Sequence, residues 1–293
     1  MDIQRSTLRL PDGRAIDVAV AGPPEGDLLI FHHGTPSGGD LFPPTAETAA
    51  AHGFRIAMYA RPGYAGSTRS AGRSVSDCAL DTLSLADHLG ADHFYTMGAS
   101  GGGPHALACA RLLPARVLAC ATIAGVGPYG APDLPFLDGM AKENHAEFGA
   151  ALESEDALRS YLEGEVAGFE HVTGAEIAAA LGDLLSPVDR EVLTGEYANF
   201  IAASFRLATE NGIWGWFDDD IAFTKRWGFE LSEITIPVTV WQGAQDMMVP
   251  LFHGEWLGSH VAGAKLELRP EHGHLSLAMA HLGAILDGLR AAG

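Results

Sequence analysis

Three things are scarce in this chain of 293 residues: cysteine, positive charge and long apolar runs. There are only three cysteines, Cys78, Cys109 and Cys120, and no C-x-x-C pair. A disulfide framework is therefore excluded, and buried, reduced thiols in a cytoplasmic protein are the expectation. Lysine and arginine total 18 against 37 acidic residues, a formal net charge of −19. That balance opposes nucleic acid, whose phosphates need a basic face, and opposes an anionic membrane surface for the same reason. No stretch approaches the roughly 18–20 uninterrupted apolar residues of a spanning helix. Met1 to Leu10 has charges mixed through it, so no secretory leader is read there.

Apolar residues are not scarce: they make up 47% of the chain, enough for a large core. Strand signals recur at Ser6–Leu10, Ala15–Ala21, Asp27–Phe31, Phe54–Tyr59, Tyr95–Gly98, Val117–Ala124, Ile236–Gln242 and Lys265–Arg269. Pro11-Asp12-Gly13 makes the first two a hairpin. Helical patterns at Ser76–Gly90, Pro104–Leu113, Leu251–Val261 and Leu275–Arg290 separate later strands. Such alternation predicts parallel pairing with right-handed crossovers.

The alternation stops near Gly127-Pro128 and resumes near Glu230. Between lie only helical stretches, at Asp133–Ala150, Glu155–Ala167, Gly174–Leu185, Pro187–Thr209 and around Trp216–Trp227. Two domains are predicted: a core of residues 1–127 and 231–293, and a helical cap of residues 128–230. The cap segment carries 20 acidic and 6 basic residues and 14 of the 24 aromatics. Most of those aromatics are expected in a core beneath a solvated acidic surface. Trp214 and Trp216 are taken as candidates for a pocket between cap and core, where ligand sites tend to lie.

Gly98-Ala99-Ser100-Gly101-Gly102 is the only G-x-S-x-G in the chain. It follows a strand and opens a helix, so Ser100 sits on a tight turn that lifts its hydroxyl out of the sheet. A serine hydroxyl is a weak nucleophile and needs a base. Glu271-His272-Gly273-His274 follows the last strand, and His274 is chosen over His272 because it directly precedes an apolar helix. The base needs a carboxylate to fix its tautomer. Asp246 is the only acid between Glu233 and Glu255 and follows a strand. Oxyanion donors should be backbone N–H groups. Gly101 supplies one, and Thr35, in the His33-Gly34-Thr35-Pro36-Ser37-Gly38 turn, is best placed to supply the other. If only its N–H matters, the Thr35 hydroxyl is dispensable.

Taken in order, these features resemble the α/β-hydrolase fold superfamily. They are the opening hairpin, His-Gly-x-Pro, Arg61-Pro62-Gly63-Tyr64, the nucleophile turn, Gly-x-x-Asp-x-x-Val-Pro, and Gly-His before the last helix. The resemblance implies an α/β fold: a mostly parallel eight-stranded sheet with helices on both faces and an all-helical cap after the sixth strand. It implies Ser100, Asp246 and His274 as nucleophile, acid and base, and Thr35 and Gly101 as oxyanion positions. Ala60 stands where many relatives carry aspartate, which leaves the Arg61 turn as scaffolding. Serine at 100 separates the chain from dehalogenase-like and epoxide-hydrolase-like relatives, which use aspartate.

The reading is a serine hydrolase of a small or medium carboxylic ester, acting through an acyl-enzyme on Ser100. Amide, lactone or carbon–carbon bond hydrolysis, or a ligand sensor with a slow triad, are the alternatives. Neither metal nor cofactor is expected: His32-His33 lacks partners at ligand spacing, and Pro114–Ala124 holds no acid to complete a dinucleotide fingerprint. The partner is a small-molecule substrate.

Overall fold

The computed structural model describes residues 1–293. The chain opens with strands β1 (Gln4–Arg9) and β2 (Ala15–Ala21), antiparallel from Gln4 opposite Val20 to Arg9 opposite Ala15. Then follow β3 (Asp27–His32), α1 (Pro43–Ala51), β4 (Phe54–Tyr59), α2 (Cys78–His88), β5 (Phe94–Ala99), α3 (Gly103–Leu112) and β6 (Val117–Ile123). After six helices come β7 (Val238–Gly243), α10 (Leu251–His260), β8 (Lys265–Arg269) and α11 (His274–Ala292). The eight strands form one sheet in the order β1-β2-β4-β3-β5-β6-β7-β8, parallel from β4 onward.

Strands buried on both faces read as continuous apolar runs rather than alternations. In β3, Leu28 and Ile30 face one core and Leu29 the other. The first core takes Cys78 and Leu85 of α2, Ala106 to Ala110 of α3 and Leu257 of α10. The second takes Ala46 and Ala49 of α1 and Leu277, Ile285 and Leu286 of α11. Helix α11 has the length and hydropathy to cross a membrane, and these residues are the face that it packs on the sheet. The chain leaves β3 toward β4 on one side and returns to β5 on the other. That reversal puts a crevice at the carboxyl ends of β3 and β5, the usual site in such sheets.

The six helices between β6 and β7 are α4 (Lys142–Glu153), α5 (Glu155–Phe169), α6 (Ile177–Ala180), α7 (Pro187–Val192), α8 (Gly195–Thr209) and α9 (Trp214–Phe223). Three expectations need correction. The helix expected from Asp133 starts only at Lys142, because Pro132 and Pro135 interrupt it and Asp133 and Gly139 have positive φ. The helix expected over Pro187–Thr209 is two, broken where Thr194 is extended and Gly195 takes φ +52°. Helix α1 has no counterpart among the expected elements: Pro43-Pro44 stand in its first turn, where proline loses no hydrogen bond.

Candidate active site

Ser100 follows the last residue of β5 and has φ +53°. A non-glycine residue in this region costs on the order of 1–3 kcal/mol and persists only where surroundings over-determine it. The surroundings are glycines. A Cβ at Gly98 would collide with the Gly102 carbonyl, and one at Gly102 with the His32 carbonyl. A Cβ on Gly34 would sit 3.4 Å from that of Ser100, so the turn after β3 lies against the serine.

His274 is the first residue of α11, and its Nδ1 lies 2.8 Å from Asp246 Oδ2. The other Asp246 oxygen accepts the Met248 and Val249 N–H groups at 2.9 and 2.8 Å. Gln242 donates to Oδ2 at 3.3 Å. The carboxylate therefore cannot swing away, and Nδ1 must carry the proton it donates, which leaves Nε2 basic. Burial pulls the His274 pKa down, but the Asp246 charge and hydrogen bond outweigh it and the net shift is upward. His272 is half-buried and packs edge-on against His281 at 4.8 Å, apart from Asp246. Ser100 and His274 line the same cavity, of about 430 Å³. They are not hydrogen-bonded to each other here, and such contacts in ligand-free sites often tighten only with substrate.

A residue not foreseen from sequence positions His274. Asp189 of α7, fully buried, accepts the N–H groups of His274, Leu275 and Ser276, each at 2.9 Å, and the Ser186 hydroxyl at 2.7 Å. It caps α11 from another helix and satisfies donors that a helix start leaves unpaired. Burial raises its pKa, but the Ser276 and His274 N–H bonds, the Ser186 hydroxyl and the His274 charge outweigh that, and the result is a lowered value. The cap also explains Gly273: a Cβ there would strike the Asp189 carboxylate and Ser186.

Thr35 and Gly101 are brought together, since a Cβ on Gly101 would lie 3.0 Å from that of Thr35. The Thr35 N–H has no protein acceptor. The turn bearing it is held by Arg61, which is 1% exposed. Its guanidinium donates to the His33 and Gly34 carbonyls and to Thr35 Oγ1 (3.0 Å), and pairs with Asp219 of α9 at 2.6 Å. Asp219 also receives Thr35 Oγ1 (2.7 Å), Tyr64 Oη (2.8 Å) and Arg73 (2.7 Å). His33 is neutral, held well below its ordinary pKa by burial and by Arg61; its Nε2 accepts the Arg61 N–H at 3.1 Å. So the Thr35 hydroxyl is not idle, contrary to expectation, and Arg61 does more than shape its own turn. Three successive acids on an otherwise apolar helix, Asp218-Asp219-Asp220, were the available sequence signal.

Trp216 lines the cavity and donates Nε1 to Glu147 at 2.7 Å. Trp214 does not line it; Arg69, paired with Asp218, stacks over its ring at 3.9 Å. That candidate is corrected: Trp214 closes the junction between α9 and the Arg69 loop. One side-chain group could hold a metal ion, Glu271, His272 and His281, with ligand atoms within 4.8 Å of one another. It had not been singled out from the sequence, and none of its members lines the cavity.

A family model described as the alpha/beta hydrolase fold matches residues 27–278. The chain belongs to the α/β-hydrolase fold family. It is similar to a non-heme chloroperoxidase of Streptomyces lividans, 29% identical over 251 residues and covering 83% of each chain. Among solved structures it is similar to a hydrolase from Pseudomonas aeruginosa (TM-score 0.72, 22% identity, 98% and 97% of the two chains). It is also similar to a thermophilic esterase from Thermogutta terrifontis (TM-score 0.70, 17% identity, 98% and 97%). At these identities the two solved structures speak for the α/β-hydrolase fold alone.

Proposed function

We propose that this α/β-hydrolase-fold protein is a serine hydrolase that cleaves a small or medium carboxylic ester. The observation that carries the reading is the buried His274–Asp246 pair opening onto the same cavity as a strained, glycine-framed Ser100. Ser100 Oγ attacks the ester carbonyl while His274 Nε2 takes its proton. The negative charge that develops on the carbonyl oxygen is received by the N–H groups of Gly101 and Thr35, worth roughly 2.7–4 kcal/mol for each donor. His274 then returns the proton to the leaving alcohol, and water attacks the acyl-enzyme by the reverse path. Asp246 stays ionised and stabilises the imidazolium.

The cavity lining favours an apolar acyl or alcohol chain, with Phe42, Phe200, Phe205 and Phe223 among its residues. The test is intact mass spectrometry after a fluorophosphonate, followed by an ester panel. One adduct on Ser100 and loss of about 10⁶ in kcat for Ser100→Ala support the proposal. A Ser100→Ala protein retaining a tenth of the activity would refute it. The name of the Streptomyces relative adds one arm. Hydrogen peroxide can replace water as attacker of the acyl group, so peracid formation is assayed on the same acyl donors.

A further inference from the structure

The three neighbouring acids of α9 have very different surroundings. Asp218 is paired with Arg69 at 2.8 and 2.9 Å. Asp219 is saturated by Arg61, Arg73, Tyr64 and Thr35. Asp220 is equally buried, at 0% exposure; no N–H or hydroxyl of the protein donates to either carboxylate oxygen, and its hydrogen-bonding neighbour is the Glu147 carboxyl. It lines the cavity that holds Ser100. Glu147 of α4 adjoins it and also lines the cavity, with the Trp216 indole as its one donor. Glu143 and Glu165 lie on the same wall, and no lysine or arginine lines the cavity anywhere.

A buried carboxylate without a donor is costly, and proteins rarely keep one. Here it is kept beside a neighbour whose partners are complete. Beyond a proton shared with Glu147, further donors come from the cavity that both residues line. Arg73, the nearest protein cation, is already committed to Asp219 at 2.7 Å. Burial, with the charge of Glu165, pushes Glu147 up to about 7, and burial with the charge and hydrogen bond of Glu147 holds Asp220 well above its ordinary value. The pair thus holds a proton in the absence of other donors and can exchange it for a cation. Trp216 and Phe169, stacked at 5.8 Å, offer apolar faces for an alkyl stem on the same wall.

We propose that this end of the cavity is a subsite for the protonated amine of an aminoalkyl ester, with Asp220 and Glu147 accepting its N–H donors. The proposal rests on the serine-hydrolase reading and narrows its substrate class. An apolar pocket alone would prefer a methyl group to an ammonium. The subsite reverses that order.

The experiment compares methyl 6-aminohexanoate with methyl heptanoate and methyl 6-hydroxyhexanoate, and 6-aminohexyl acetate with heptyl acetate, by pH-stat at pH 8. The expected result is a kcat/KM for the amine at least tenfold above its alkyl isostere in one of the two series. In Asp220→Asn or Glu147→Gln that ratio should fall tenfold or more. Asp220→Asn should also melt at a higher temperature, because it removes the cost of keeping two buried carboxyls side by side; a carboxylate with a purely structural role would give a lower one. Binding of hexylammonium and of hexanol to Ser100→Ala by calorimetry gives a readout independent of turnover. Alkyl esters preferred in both series, or hydroxyl equal to amine, would overturn the proposal. So would hexylammonium binding no tighter than hexanol. If no ester is cleaved and Ser100 is not labelled, the hydrolase reading fails instead, and the calorimetry still decides the subsite.

Discussion

Replacing Asp189 by asparagine tests whether the helical segment holds the base in place. The substitution is nearly isosteric and leaves one oxygen. That oxygen can keep the Leu275 and Ser276 N–H groups, which now share Oδ1. The new NH₂ then faces the His274 N–H and the Ser186 hydroxyl, both now bound to Oδ2. One charge-assisted bond is lost, about 1.5–3 kcal/mol, and a buried donor is left opposite another donor. The negative charge at a helix start is lost as well, up to about 2 kcal/mol in a partly buried setting. Because the bonds are not independent, a total of about 2–4 kcal/mol is expected by urea denaturation. His274 begins the affected helix, so kcat/KM should drop at least tenfold while circular dichroism stays native-like. Loss of stability below about 0.5 kcal/mol would refute the capping argument, and full activity at the lower stability would refute its link to the base.

Other expectations follow from the same geometry. The His274 pKa is raised above 6.5, so the acid limb of kcat/KM should have its midpoint above that value. Asp246→Asn should lower kcat by about 10⁴. In stability, the raised His274 value favours the fold fully below about pH 6.5 and the benefit is lost as pH rises through the folded pKa. The lowered Asp189 value acts oppositely: its contribution is present above about pH 4 and lost as pH falls through the folded pKa, which an acid titration of the melting temperature will show. Thr35→Ala should cost activity as well as about 1–3 kcal/mol of stability, because it strips a donor from Asp219; Thr35→Ser should restore both. Trp216→Phe should change the ranking of esters by chain length, whereas Trp214→Phe should leave the ranking alone and register only in the melting temperature.

Local chemistry was legible because it is local. Gly98-Ala99-Ser100-Gly101-Gly102 needs small residues where backbones crowd, and the strand–turn–helix context lies within a dozen residues. The two-faced burial of β3 to β7 writes itself as apolar runs, and β2, β4 and β8 have the bounds read from the sequence. Helix breaks were harder to read, because proline in a first turn at Pro43 and proline in a turn at Pro132 look alike without the fold. Sequence also left His272 and His274 as rivals two residues apart, and only the packing of α11 against the β7 loop puts His274 on Asp246.

Contacts between distant segments were decided by tertiary structure alone. Asp189 lies 85 residues from His274, whose helix it caps, and Asp219 lies 158 from Arg61. No periodicity or motif records such pairs, since each acid reads locally as one more solvated charge in an acidic segment. What distinguishes Asp219 from Asp220 is one residue of chain and different neighbours: one is paired with arginines, the other lies against Glu147 at the cavity wall. Carboxylates acquire their roles from what surrounds them once water is excluded, and that surrounding is assembled from the whole chain.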